Sequence, residues 1–230
     1  MRNLSVNFYI FILMSVSFLL NSCSKHHSEP LVINPTVNPI PYSVLVYLIT
    51  PIDQKFNPQY YTAVKSCALS LQNWYKIQMD GKSFIMNPVV VDTLTGLHNA
   101  SWYTDNNGPS ISGNDIYAYH NTKHEMQELL GANFDTTRYT YFIFVASDFP
   151  DETIPTGLAA EGLSNLQGLA GKSPNFSIGA AGHALGHAFG LPEVSVVNSQ
   201  AIMSTGYPEY PNCILQQPEK DSLNSSPFFK

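Results

Sequence analysis

Residues 182–193 read GHALGHAFGLPE, and this stretch constrains the chain more than any other. His183 and His187 are four residues apart, so on a helix they share one face. Two imidazoles placed this way can hold one metal ion from one side, and zinc accepts neutral imidazole nitrogen in a tetrahedral shell. Gly190 follows three residues after His187, where a helix ends by entering the left-handed region, and Pro192 keeps it from resuming. The chain must therefore turn sharply and bring Glu193 back toward the histidines. Its carboxylate is either a third ligand, giving a His₂Glu site, or a solvated acid beside a weakly held or absent metal.

The joint pattern of His183, His187, Gly190 and, ten residues past Glu193, Met203 within SQAIMSTGYPEYP resembles the metzincin zinc metallopeptidases, matrixin-like members above all. Their motif is H-E-x-x-H-x-x-G-x-x-H or its aspartate-ended form, followed by a methionine-containing turn. The resemblance implies a zinc cofactor and hydrolysis of peptide bonds by zinc-activated water. It also implies an apolar floor at Met203 and a peptide or protein substrate lying extended along an edge strand. Tyr207 and Tyr210, just past that turn, are candidates for the specificity pocket or the oxyanion, with plain packing as the alternative. QQPEKDSLNSS (216–226) corresponds to the family's closing helix.

Two departures stand out. Glu193 replaces the last histidine, and Ala184 stands where the family carries the glutamate that moves the proton. A positioned acid–base group is worth roughly 10²–10⁴ in rate. Ala184 marks either a natural pseudoenzyme that binds peptides or proteins, or a substitution that leaves an inactive form. A structural surface lipoprotein without metal is the third possibility. His98, His120 and His124 are weaker candidates to complete a shell, and Glu161 and Asp151 to bind calcium.

The fold expected is α/β (α+β) and zincin-like: a mixed, mostly parallel twisted sheet with an antiparallel edge strand. It packs on long helices, one carrying the site, with a small irregular subdomain from Leu191 onward. SVLVYLIT (43–50) reads as a strand, and YTYFIFVAS (139–147) as a central strand covered on both faces. Asn57–Pro58 starts a helix whose buried face holds Tyr61, Val64, Ala68, Leu71 and Tyr75. SFIMNPVVV (83–91) is extended, with Pro88 marking an edge or a bulge. Thr122 and Glu125 are spaced as a capping box, and Gly131 as a helix C-cap. Residues 96–118 read as loop, 150–175 as irregular, and 176–189 as the site helix.

Before the domain at 42–230, residues 1–22 read as a signal peptide, with Arg2 and an apolar run from Phe8 to Leu20 too short to span a membrane comfortably. The run ends in LLNSC, which resembles the lipobox of bacterial lipoproteins. That resemblance implies cleavage before Cys23 and its acylation, placing the protein on a bacterial membrane in the cell envelope. An ordinary secretory signal is the alternative. Residues 23–41 form a proline-rich tether whose His26 and His27 read as solvated. The net charge of −6 and the absence of basic runs argue against nucleic acid. Cys67 and Cys213 remain as a disulfide pair or as two buried thiols, and the chain is expected to be monomeric.

Overall fold

The computed structural model describes residues 39–105, 116–150, 152–154, 157–172, 174–194 and 197–230. The proposed signal peptide, Cys23, His26 and His27 lie outside them, as do Asp151 and most of the turn cluster at 105–115. Among the described residues no helix is long and apolar enough to cross a membrane.

Five strands form one sheet: β1 (Ser43–Thr50), β2 (Ile85–Thr95), β3 (Tyr139–Val145), β4 (Glu152–Ile154) and β5 (Leu158–Glu161). Their order is β2-β1-β3-β5-β4. β1 runs parallel to β2 and β3, β3 runs parallel to β5, and β4 pairs antiparallel with β5 at the edge. Every residue of β1 and β3 is buried. Alternation divides them between two cores. Val44, Val46, Leu48, Phe142 and Phe144 face α1 (Pro58–Gln78), α3 (Leu163–Leu169) and α4 (Asn175–Ala188). Leu45, Tyr47, Ile49, Tyr141 and Ile143 face α2 (Tyr117–Leu130) on the other side. Layers on both faces explain why these strands are continuously apolar.

The local signals act as their chemistry dictates. The Asn57 side chain accepts from the Gln59 N–H at 2.9 Å, Pro58 opens α1, and Val64, Ala68, Leu71 and Tyr75 are buried along it. β2 is an edge strand. Its register against β1 jumps from Val44–Met86 to Val46–Val91, so the stretch holding Pro88 bulges out of the ladder.

Two expectations are corrected. α2 begins at Tyr117, so Thr122 and Glu125 lie buried within it and make no capping box. Glu125 serves tertiary structure instead, accepting from the Leu97 N–H and meeting His98 Nδ1 at 2.9 Å. Gly131 does follow the helix, with a φ of 53°. Residues 150–175 are not irregular: they supply β4, β5 and α3. The small C-terminal part contains a 3₁₀ turn (Tyr207–Glu209) and α5 (Gln217–Ser225). The Glu219 carboxylate caps α5 by accepting from the Gln216 N–H at 2.6 Å.

Candidate metal centre

α4 ends as its sequence requires. The Gly190 N–H donates to the His187 carbonyl at 2.8 Å and the Leu191 N–H to the Gly186 carbonyl at 3.0 Å. Gly190 has a φ of 91°, a conformation that strains any residue with a Cβ. Past it the chain doubles back, and the Val194 N–H reaches the Met203 carbonyl at 3.2 Å. Glu193 thereby faces the histidines.

Three ligand atoms meet there. His183 Nε2 and His187 Nε2 are 3.1 Å apart, and Glu193 Oε1 lies 3.1 Å from the first and 3.2 Å from the second. Each imidazole spends its other nitrogen on a backbone carbonyl: His183 Nδ1 on Ile202 at 2.7 Å, His187 Nδ1 on Leu191 at 2.8 Å. A carbonyl only accepts, so each Nδ1 carries a proton, and each Nε2 is left facing the other. Burial holds the His183 imidazole below its usual pKa range, although the Ile202 carbonyl pulls the other way. Two imidazole nitrogens and a carboxylate oxygen thus converge on one point, an arrangement that a metal ion, or a proton on one Nε2, holds together. A tetrahedral shell with bonds of about 2.0–2.1 Å sets its ligand atoms about 3.3 Å apart, close to the spacing found. Among the described residues this is the only group of three His, Cys, Asp or Glu side chains brought together closely enough to hold a metal ion.

The triad opens on a cavity of about 420 Å³. Its remaining walls are Phe176, Ala180, Ala184 and Tyr207. Ala184 presents only a methyl group to the cavity.

No family model and no curated protein matches the sequence. Solved structures do. Wild-type OgpA from Akkermansia muciniphila aligns over 82% of this chain and 61% of its own, with 14% identity and a TM-score of 0.58. Catalytically inactive OgpA, in complex with an O-glycopeptide (glycodrosocin) substrate, aligns with 17% identity and a TM-score of 0.59. The chain shares the fold of OgpA. It spans about three-fifths of the OgpA chain.

Beneath the triad, Met203 is fully buried against α4. A Cβ on Gly186 would overlap the Met203 sulfur, so the absence of a side chain at 186 lets the methionine turn close against the helix. Gly186→Ala is expected to cost about 1–3 kcal/mol through overpacking. The check is a lower denaturant midpoint at unchanged slope.

The other sequence candidates are dispersed. Tyr207 lies at the cavity, its ring centroid 5.4 Å from that of His183. Tyr210 does not line it. It packs in the core with its ring centroid 6.4 Å from that of Trp74, and burial pushes its phenol up to about 12. His98 stacks on Trp102 at 3.7 Å while bound to Glu125, and His124 lies beside Glu128 at 3.7 Å. Burial lowers the pKa of His120. None of these histidines joins the triad. Glu161 is buried in β5, hydrogen-bonded by Asn165. Cys67 and Cys213 are both buried and not disulfide-bonded, and burial raises both thiol pKa values, Cys213 to about 11. Sequence reasoning passed over Phe176 and Ala180. Their spacing of four from each other and from Ala184 was the available signal.

Proposed function

We propose that this chain is a metzincin-type, matrixin-like zinc metallopeptidase homologue. A lipidated Cys23 holds it at a bacterial membrane in the cell envelope, where it acts as a monomer on peptides or proteins. The family reaction is hydrolysis of a peptide bond, and in this chain turnover is impaired or absent. The observation that carries the reading is the convergence of His183 Nε2, His187 Nε2 and Glu193 Oε1 within 3.2 Å.

Zinc, when bound, would lower the pKa of water and polarise a peptide carbonyl. The protein's own part is to hold the ion and receive the substrate. His183 and His187 are fixed in the right tautomer by backbone carbonyls, and Glu193 supplies a negative charge. No base is left over: the imidazole lone pairs and Glu193 are committed to the ion, and Ala180, Ala184 and Phe176 have nothing that accepts a proton. Tyr207 offers a phenol as a hydrogen-bond donor to a developing oxyanion. That OgpA is seen with an O-glycopeptide substrate supports a peptide ligand for this related fold. The anchor rests on the sequence of residues 8–23 alone.

A second reading, a pseudoprotease that grips peptides without cutting them, is favoured by the same Ala184 in an otherwise assembled site. Both readings require the metal. The purified chain is expected to hold one zinc ion, and zinc at 100 times its dissociation constant should stabilise it by about 2.7 kcal/mol. Chelation should then lower the melting temperature by about 5–10 °C. A chain with no zinc and no response to chelator leaves only a structural lipoprotein.

A further inference from the structure

The end of the sheet where the chain enters the domain carries side chains that the core does not use. β1, β2 and β3 all begin there, with Ser43 opposite both Ile85 and Tyr139. Just before β1, Ile40 is 41% and Tyr42 39% exposed. Neither is loose. The Ile40 N–H donates to Asn87 Oδ1 at 3.2 Å, and the Tyr42 N–H to the Arg138 carbonyl at 2.8 Å. The Tyr42 ring meets that of Phe228 edge-on, with centroids 6.0 Å apart. Apolar surface is thus held in water at fixed places, and a tyrosine so placed suits a boundary that is apolar on one side and wet on the other. Cations flank it. Arg138 is exposed beside Tyr42, its guanidinium 5.6 Å from the centre of the Tyr139 ring. On the other flank, Ser83 pairs with Lys230 just past Phe228, and its neighbour Lys82 lines a polar hollow of about 290 Å³ with Lys220 of α5. Lys82 Nζ donates to Asn224 Oδ1 at 3.0 Å. Among the described residues every ion pair has a histidine as its cation, so Arg138, Lys82 and Lys220 are not paired with carboxylates. The nearby acids are Asp80 in the hollow, Asp135, which accepts from the Thr137 hydroxyl at 2.6 Å, and Asp221, which accepts from Gln217 at 2.8 Å.

We infer that this end of the domain docks on an anionic phospholipid surface, with Ile40 and Tyr42 entering the interface while Arg138, Lys82 and Lys220 meet lipid phosphates. The inference rests on the anchor reading above and names the face that the anchor holds to the membrane. Sixteen residues separate Cys23 from Pro39, where the described chain begins. A flexible chain of that length has a root-mean-square span of about 20–24 Å. A tether that short keeps the attached face at an effective concentration in the millimolar range, so weak intrinsic attraction is enough for docking. Each Lys or Arg near an anionic membrane surface contributes about fivefold in affinity. The surface reads these local cations and not the net charge of −6, because charges more than a Debye length away are screened. Two part-exposed apolar side chains are too little for a stable protein interface, whereas a headgroup layer needs only a few anchors.

The test uses the chain as isolated from membranes, with mass analysis showing first whether Cys23 carries acyl groups. It is placed on vesicles of phosphatidylethanolamine with phosphatidylglycerol, and on vesicles of phosphatidylcholine alone. The readout is the rate at which an amine-acylating reagent labels each lysine. On the anionic vesicles, labelling of Lys82 and Lys220 is expected to slow by at least about fivefold, while the exposed Lys65 and Lys172 keep their solution rates. Raised salt should restore the labelling. Arg138→Glu combined with Tyr42→Ser should restore it at Lys82 and Lys220 too, although the chain stays on the vesicle through its acyl groups. Equal labelling on the two vesicle types, or protection that survives the double variant, overturns the docking face and leaves the anchor reading standing. Protection already present without vesicles marks a contact between copies of the chain and overturns it as well. A Cys23 without acyl groups overturns the anchor reading itself.

Discussion

Ala184→Glu is expected to raise zinc-dependent peptide cleavage by about 10²–10⁴-fold in kcat/KM. His183 and His187 are oriented by the carbonyls of Ile202 and Leu191, and Glu193 lies against both of their Nε2 atoms. A cavity of about 420 Å³ leaves room for substrate. Outside the triad and Tyr207 the lining holds only Phe176, Ala180 and Ala184, none of which accepts a proton, and residue 184 lines that same cavity. Ala184 is itself only 3% exposed, so a glutamate there must extend into the cavity and not back into the core. Ala184→Gln is the control, since it adds the same bulk without a base. The expected pattern is cleavage by the glutamate variant, lost on chelation, and none by the glutamine variant. If both variants hold one zinc and neither cleaves, the peptidase reading fails and the binding reading stands.

What could be read from the sequence was whatever local chemistry decides. β1 and β3 were legible because strands covered on both faces must be apolar throughout. α1 was legible because Asn57 and Pro58 start a helix by their own geometry. The convergence of the three side chains was legible because a helical spacing of four and a stop at Gly190 set their approximate directions, which the Ile202 and Met203 carbonyls then hold. Where tertiary structure decides, the pattern misled. Thr122 and Glu125 have the spacing of a cap, but Glu125 is committed to Leu97 and His98, 28 and 27 residues away. β5, LAAE, has no β-branched residue and owes its strand to pairing with β3 and β4. Tyr207 and Tyr210 are chemically alike and three residues apart, yet one lines the cavity and the other packs on Trp74. Their difference is set by how the 3₁₀ turn docks on α4, which no local pattern encodes.

The second large effect concerns the metal itself, and it separates a zinc site from a bare cluster of hydrogen-bonding groups. His187→Ala is expected to weaken zinc binding by more than about 100-fold, because losing even a partner one shell out from a metal typically costs 10–100-fold. His187 is the informative choice because its side chain is only 10% exposed, against 63% for Glu193. It sits deepest, and water cannot easily replace its nitrogen from the open side. Glu193→Gln should weaken binding less, since the amide keeps an oxygen ligand of the same reach while losing the charge. Two readouts are needed together: zinc affinity by competition with a chelator, and melting temperature with and without zinc. If the histidine is a ligand, His187→Ala should lose most of the zinc-dependent rise in melting temperature, an amount beyond any change in the metal-free form. If it only packs, the metal-free protein should melt lower while the rise on adding zinc stays intact. That second pattern would place the zinc elsewhere than at the three converging side chains, and the peptidase and peptide-binding readings would fall together.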